Sequence, residues 1–81
     1  MSERIRILFV DDEERILRSL ALQFRREYEV LTESDPLRAL QRLKSESVHV
    51  LVSYQRMPGM TGAELLAAAQ QIATQTLRIW I

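Results

Sequence analysis

The chain has 81 residues, so it holds one domain at most, with a core only just large enough to stand alone. Lys and Arg balance Asp and Glu at eleven each, which gives no basic excess for nucleic acid and no acidic excess for disorder. Cysteine is absent, which excludes disulfides and thiolate metal sites; no apolar run reaches bilayer length, and the first is too short and too closely followed by acids for a signal peptide, so the expected location is cytoplasmic.

The first apolar run, residues 5–10, is β-branched and nearly continuous, as in a strand buried on both faces of a parallel sheet. It stops at Asp11-Asp12. A helix is expected over about 13–26, with Glu13 and Glu14 in the first turn, where the helix dipole favours negative charge. Its apolar stripe is Ile16, Leu17, Leu20, Phe24 and Tyr28. Arg15, Arg18, Arg25 and Arg26 fall on the other side, with Leu22 set oddly among them.

A second strand is expected at 28–33. Asp35-Pro36 then reads as an N-cap followed by proline in the first turn, which starts a helix over 36–45 with Leu37, Leu40 and Leu43 on one face. A third strand is expected at 48–53, with His49 as a strand residue and not a ligand. Pro58, Gly59 and Gly62 punctuate a loop. Thr61 and Glu64 have capping-box spacing for a helix over 62–73, whose apolar face is Leu65, Ala68, Ala69 and Ile72. Residues 77–81 form a fourth strand. Strand and helix alternate throughout, which implies a parallel sheet with right-handed crossovers and helices on its faces.

Two motifs close the first and third strands: Leu8-Phe9-Val10-Asp11-Asp12-Glu13, and the segment from Val50 to Gly62 that reads Val-Leu-Val-Ser-Tyr-Gln-Arg-Met-Pro-Gly-Met-Thr-Gly. Together, at this spacing, they resemble the receiver domains of bacterial two-component response regulators. The resemblance covers the whole chain. It implies an α/β, flavodoxin-like fold with strand order 2-1-3-4-5. Three βα units and a fourth strand are here, so the expectation is a C-terminally truncated receiver of order 2-1-3-4, lacking the fourth helix, fifth strand and fifth helix.

The resemblance also implies a chemistry. In the family an acidic pair holds Mg²⁺ through oxygen ligands, and an aspartate after the third strand takes up a phosphoryl group. Asp11 and Asp12 match the acidic pair, and Arg56 matches the position whose backbone carbonyl joins the metal. Tyr54 stands where the phosphoacceptor aspartate would be. Ile81 falls just before the family's switch Ser/Thr, and the fifth-strand lysine has no counterpart. A phenol with a pKa near 10 is protonated at neutral pH and does not replace a carboxylate nucleophile. Tyr54 is read either as a natural divergence or as an introduced change, since Asp and Tyr codons differ by one base. Its ring is expected to fill the acidic pocket with the hydroxyl turned to Asp11 or Asp12. The expected chain is thus a pseudo-receiver with no catalytic residue, no cofactor and little Mg²⁺ affinity. The alternative is a fragment or mutant of a phosphorylatable regulator whose output domain is missing.

With the fourth strand as a sheet edge, Leu77, Ile79, Trp80 and Ile81 are expected to be exposed, and Leu22 with them. Such a surface predicts a two-fold homodimer. A histidine kinase or phosphotransfer protein is the other partner the resemblance implies, docking near the first helix.

Overall fold

The structure, a computed structural model, describes residues 4–53 and 60–80, with the side chain at 80 excepted. Seven elements alternate: β1 (Arg6–Val10), α1 (Glu14–Phe24), β2 (Glu29–Glu33), α2 (Pro36–Ser45), β3 (Val50–Ser53), α3 (Gly62–Ile72) and β4 (Leu77–Trp80). All strand pairs are parallel, in the order β2-β1-β3-β4. This is the receiver order expected from the sequence.

Successive strand residues point to opposite faces, and this alternation divides the core in two. Leu8, Val10 and Leu51 pack with Ala39, Leu43, Leu65 and Ala69 under α2 and α3. Ile7, Phe9 and Val52 pack with Leu17 under α1, joined by the partly buried Leu20, Phe24 and Tyr28. The Phe9 and Phe24 rings stack with centroids 5.8 Å apart. Leu8, Leu51 and Leu65 are fully buried, and each contributes about 1.5–3 kcal/mol.

Local chemistry sets the helix starts. Asp35 Oδ1 accepts the Leu37 N–H at 3.0 Å, and Pro36 occupies the first turn. Thr61 and Glu64 form a reciprocal capping box: Thr61 Oγ1 accepts from Glu64 N at 3.1 Å, and Glu64 Oε1 accepts from Thr61 N at 2.9 Å. The Thr61 N–H, with the Thr61 side chain, holds the Glu64 carboxyl below its ordinary pKa.

Several limits differ from the sequence expectation. Helix α1 is shorter than 13–26, because residues 25–27 tighten into turns in which the Glu27 and Tyr28 N–H groups both return to Phe24 O. Tyr28 therefore closes the helix and does not open β2. Strand β3 starts at Val50, not 48. Before it, His49 N donates to Arg6 O, while His49 Nδ1 accepts from Arg6 N at 3.0 Å. Of the leucines assigned to the face of α2, Leu43 is buried and Leu40 packs partly buried against the core, but Leu37 is exposed; Pro36 and Ala39 are buried as well. In α1, Ile16 lies at the exposed margin of its stripe. Among the described residues no helix is long and apolar enough to cross a membrane.

Candidate functional site

In an open parallel sheet, ligands gather outside the carboxyl ends of the strands where the strand order reverses. Here that point lies between β1 and β3. The chain leaves β1 for α1 and β2 on one side, then crosses back to β3 on the other. Asp11 is the first residue after β1, and Asp12 follows it. Across the ladder Val10 pairs with Ser53, the buried last residue of β3, and Ser53 pairs with Trp80.

The two aspartates are placed differently. Asp11 is only 3% exposed, and its N–H reaches Glu33 O at 3.3 Å, which ties the start of the loop to β2. Its Oδ1 accepts the Glu13 N–H at 3.1 Å. Glu13 occupies the N-cap of α1 but offers no side-chain bond there. Asp11 thus supplies, from two residues upstream, an acceptor at the helix entrance. Its second oxygen, Oδ2, is buried with no hydrogen-bond partner among the described residues. Burial pushes the Asp11 carboxyl above its ordinary pKa, opposed by the Glu13 N–H and reinforced by the Asp12 side chain and the charges of Asp12 and Glu13. Asp12 is exposed. The Asp11 carboxylate therefore serves the entrance of α1 through one oxygen and leaves the other unmatched at the end of β1.

Tyr54 and Arg56 lie outside the described residues, as does Ile81. Among the described residues no group of three Asp, Glu, His or Cys side chains gathers as a metal would require. Mg²⁺ takes a near-octahedral shell of oxygens. Two adjacent carboxylates, one buried and one exposed, fit it incompletely. The unmatched Asp11 Oδ2 is an acceptor without a full donor set around it.

The residues expected at an interface fall on two separate surfaces. Leu77 (61% exposed) and Ile79 (40%) stand on edge strand β4, on the sheet face they share with Val50 and Val52. Helix α1 covers β1 and β2 on that face and does not reach β4. Leu22, 60% exposed, points away from the core beside β2, at the opposite edge. The side chain of Trp80 is not described.

Sequence reasoning missed Arg42. From α2 its Nη1 donates to Thr32 O at 2.9 Å and lies 4.0 Å from Glu33, while Nε bonds Glu46 at 3.0 Å. Only the i,i+4 spacing of Arg42 and Glu46 was visible beforehand. Thr76 was missed too: its buried Oγ1 donates to Val48 O at 2.7 Å and joins the approaches to β3 and β4.

A family model for the response regulator receiver domain matches residues 7–81. The hydrogenase transcriptional regulatory protein HoxA of Cupriavidus necator is 37% identical over 75 residues, which is 93% of this chain and 16% of that protein. The solved signal receiver domain of an HD domain-containing protein from Pseudomonas fluorescens Pf-5 is 34% identical with a TM-score of 0.90, over 99% of this chain and 60% of that one. The chemotaxis protein CheY4 of Vibrio cholerae is 27% identical with a TM-score of 0.89, over 96% of this chain and 68% of that one. The chain therefore spans a small part of its curated relative and 60% of the Pseudomonas receiver structure.

Proposed function

The chain belongs to the response regulator receiver domain family of two-component signalling, and from that premise we propose that it is a degenerate receiver, unable to accept phosphate on aspartate, that acts through protein contacts. The observation that carries this reading is Tyr54, which stands at the phosphoacceptor position of an otherwise well-matched motif from Val50 to Gly62. A neutral phenol is a poor nucleophile at physiological pH. It also removes one carboxylate from the set that would hold Mg²⁺, and Asp11 and Asp12 alone are a weak site. No step of phosphotransfer is assigned to the residues present.

Self-association belongs to the same proposal. Leu77 and Ile79 leave apolar side chains on an edge strand, and an edge with exposed apolar residues is a template for pairing. The proposed contact is a two-fold one through β4, which joins two sheets. A histidine kinase or a phosphotransfer protein is the heterologous partner proposed, docking near α1.

Incubation with acetyl phosphate and Mg²⁺, read by intact mass, tests the central claim. The expected result is no phosphate adduct, and little heat of Mg²⁺ binding by calorimetry. The Tyr54→Asp variant is expected to bind Mg²⁺ at least about tenfold more tightly, by restoring a carboxylate to the set. A hydroxylamine-sensitive phosphate adduct on the unaltered chain would overturn the reading.

A further inference from the structure

Strand β4 is an edge of the four-stranded sheet, and its backbone restricts how a second strand can join it. The Leu77 N–H bonds to His49 O at 2.9 Å. Leu77 therefore turns its backbone groups inward to β3, and by strand alternation so does Ile79. Arg78 and Trp80 turn theirs outward. Thr76, the outward position before them, is already engaged. Its N–H returns to Ala73 O at 3.1 Å, and its carbonyl accepts from Arg78 Nη1 at 3.0 Å. The edge is thus closed at Thr76 and open at Arg78 and Trp80.

Side chains add a second restriction. Leu77 and Ile79 are exposed on one face of the sheet. Arg78 is half-buried on the other. Among the described residues no carboxylate lies within ion-pair distance of it.

Two antiparallel edges related by a two-fold axis must set outward residues opposite outward residues, because a slip by one mismatches every backbone group. Few registers remain. With Leu77 on the axis, Arg78 meets Thr76 of the second copy, whose backbone groups are taken. With Arg78 on the axis, the two arginines stand opposite each other with Cα atoms about 5.5 Å apart, and like charges so placed are destabilising. The flanking pair in that register again needs Thr76. With Trp80 on the axis, Arg78 has no strand residue to pair with. With Ile79 on the axis, Arg78 of each copy exchanges backbone hydrogen bonds with Trp80 of the other. Arg78 then lies across from an aromatic residue and not from its own charge. The two Ile79 residues face each other with Cα atoms about 4.5 Å apart, the closer of the two antiparallel spacings. Leu77 of each copy falls on the diagonal beside them.

We infer that two copies of the chain pair antiparallel through β4, with Ile79 on the two-fold axis and Arg78 opposite Trp80 of the second copy. The inference rests on the self-association through β4 proposed above and fixes its register. The bond from Arg78 to Thr76 O is the selecting device, because it removes from the edge the carbonyl that the competing registers require.

The chain has no cysteine, so single introduced cysteines report the register directly. Ile79→Cys and Leu77→Cys leave Arg78 and Thr76 untouched, and a disulfide needs Cα atoms within about 7 Å. Linking in oxidised glutathione is followed by non-reducing electrophoresis and intact mass, with Leu37→Cys on α2 as an exposed reference. Ile79→Cys is expected to link to itself at least about tenfold faster than Leu77→Cys or Leu37→Cys. In an equimolar mixture of the two edge variants, the 79–79 link should exceed the 77–79 link. An excess of 77–79 links puts Arg78 on the axis, and fast 77–77 linking puts Leu77 there. Either result overturns the register and leaves association through β4 standing. Edge variants that link no faster than Leu37→Cys overturn both. The unaltered chain supplies a second measurement. Amide hydrogen exchange at Arg78 and at Trp80 should slow together, at least about tenfold, as rising concentration drives pairing. Slowing at only one of the two contradicts the register, and slowing at neither contradicts pairing through β4.

Discussion

The two edges of the sheet are finished in different ways. At β2, Glu29 N and Glu33 O face β1, so Val30 and Thr32 turn their backbone groups outward. The Thr32 carbonyl there is taken by Arg42 from α2, and charged side chains surround it. At β4, Arg78 bonds back to Thr76 O just before its own strand, while Leu77 and Ile79 remain exposed. One edge is closed by a helix-borne arginine and the other is left apolar. Blocking an edge with charge is how a strand is kept from pairing with another chain. The contrast separates an edge masked by charge from one whose apolar side chains are the surface proposed above for self-association.

The largest expected effect comes from breaking the open edge. Ile79→Lys should abolish self-association at micromolar concentrations, read as molar mass by light scattering after size exclusion. A dimer that survives this charge would move the interface elsewhere. Trp80→Lys on the same strand should act in the same direction.

Opening the closed edge is the converse experiment. Arg42→Ala leaves Thr32 O and two carboxylates without their cation. It should cost about 2 kcal/mol, a fall in Tm of roughly 8–16 °C for a domain this small. If Tm is unchanged, the Arg42 contacts do not hold that edge.

Between the edges lies the buried Asp11 carboxylate. Its pKa is raised in the fold, so its contribution to stability is fully present below the unfolded pKa and is lost as pH rises through the folded value. In metal-free buffer Asp11→Asn should therefore be more stable than the parent at neutral pH, because it keeps the shape of the side chain and removes a buried charge. The advantage should shrink as pH falls toward about 4. Denaturant melts at several pH values check this, and a pH-independent difference would argue against an ionised Asp11. The smallest effect is expected at Leu37, which is as exposed as Leu77 but stands alone on α2. Leu37→Glu should change stability by less than about 0.5 kcal/mol and leave association untouched. That outcome would separate a lone exposed leucine from an edge strand.

Much of the fold was legible because its signals are local. The run from Ile5 to Val10, the Asp35-Pro36 cap and the Thr61–Glu64 box each act within a few residues of themselves. Leu37 was misplaced on the core face of α2 because it recurs at three-residue spacing with Leu40 and Leu43, and that spacing drifts around a helix of 3.6 residues per turn. The small side chain of Ala39, which is fully buried, gives little signal beside three leucines. Of the candidate site, the position of Asp11 could be read from its motif. Its bond to Glu13 N, its unmatched Oδ2 and the reach of Arg42 to Thr32 could not, because they depend on how separate segments meet in space. The separation of Leu22 from Leu77 follows from strand order combined with the direction of a side chain, and only the first was available in advance.

The bond from Glu13 N to Asp11 Oδ1 has a further consequence. A single carboxylate stands at both the end of β1 and the mouth of α1, so the proposed acidic pocket and the helix would share an atom. Anything that draws Oδ1 toward a new donor or cation leaves the Glu13 amide without its acceptor. That amide is a resident reporter of the pocket: its hydrogen exchange should quicken when the pocket is engaged, and the signal would emerge at the root of the helix that carries the arginine face.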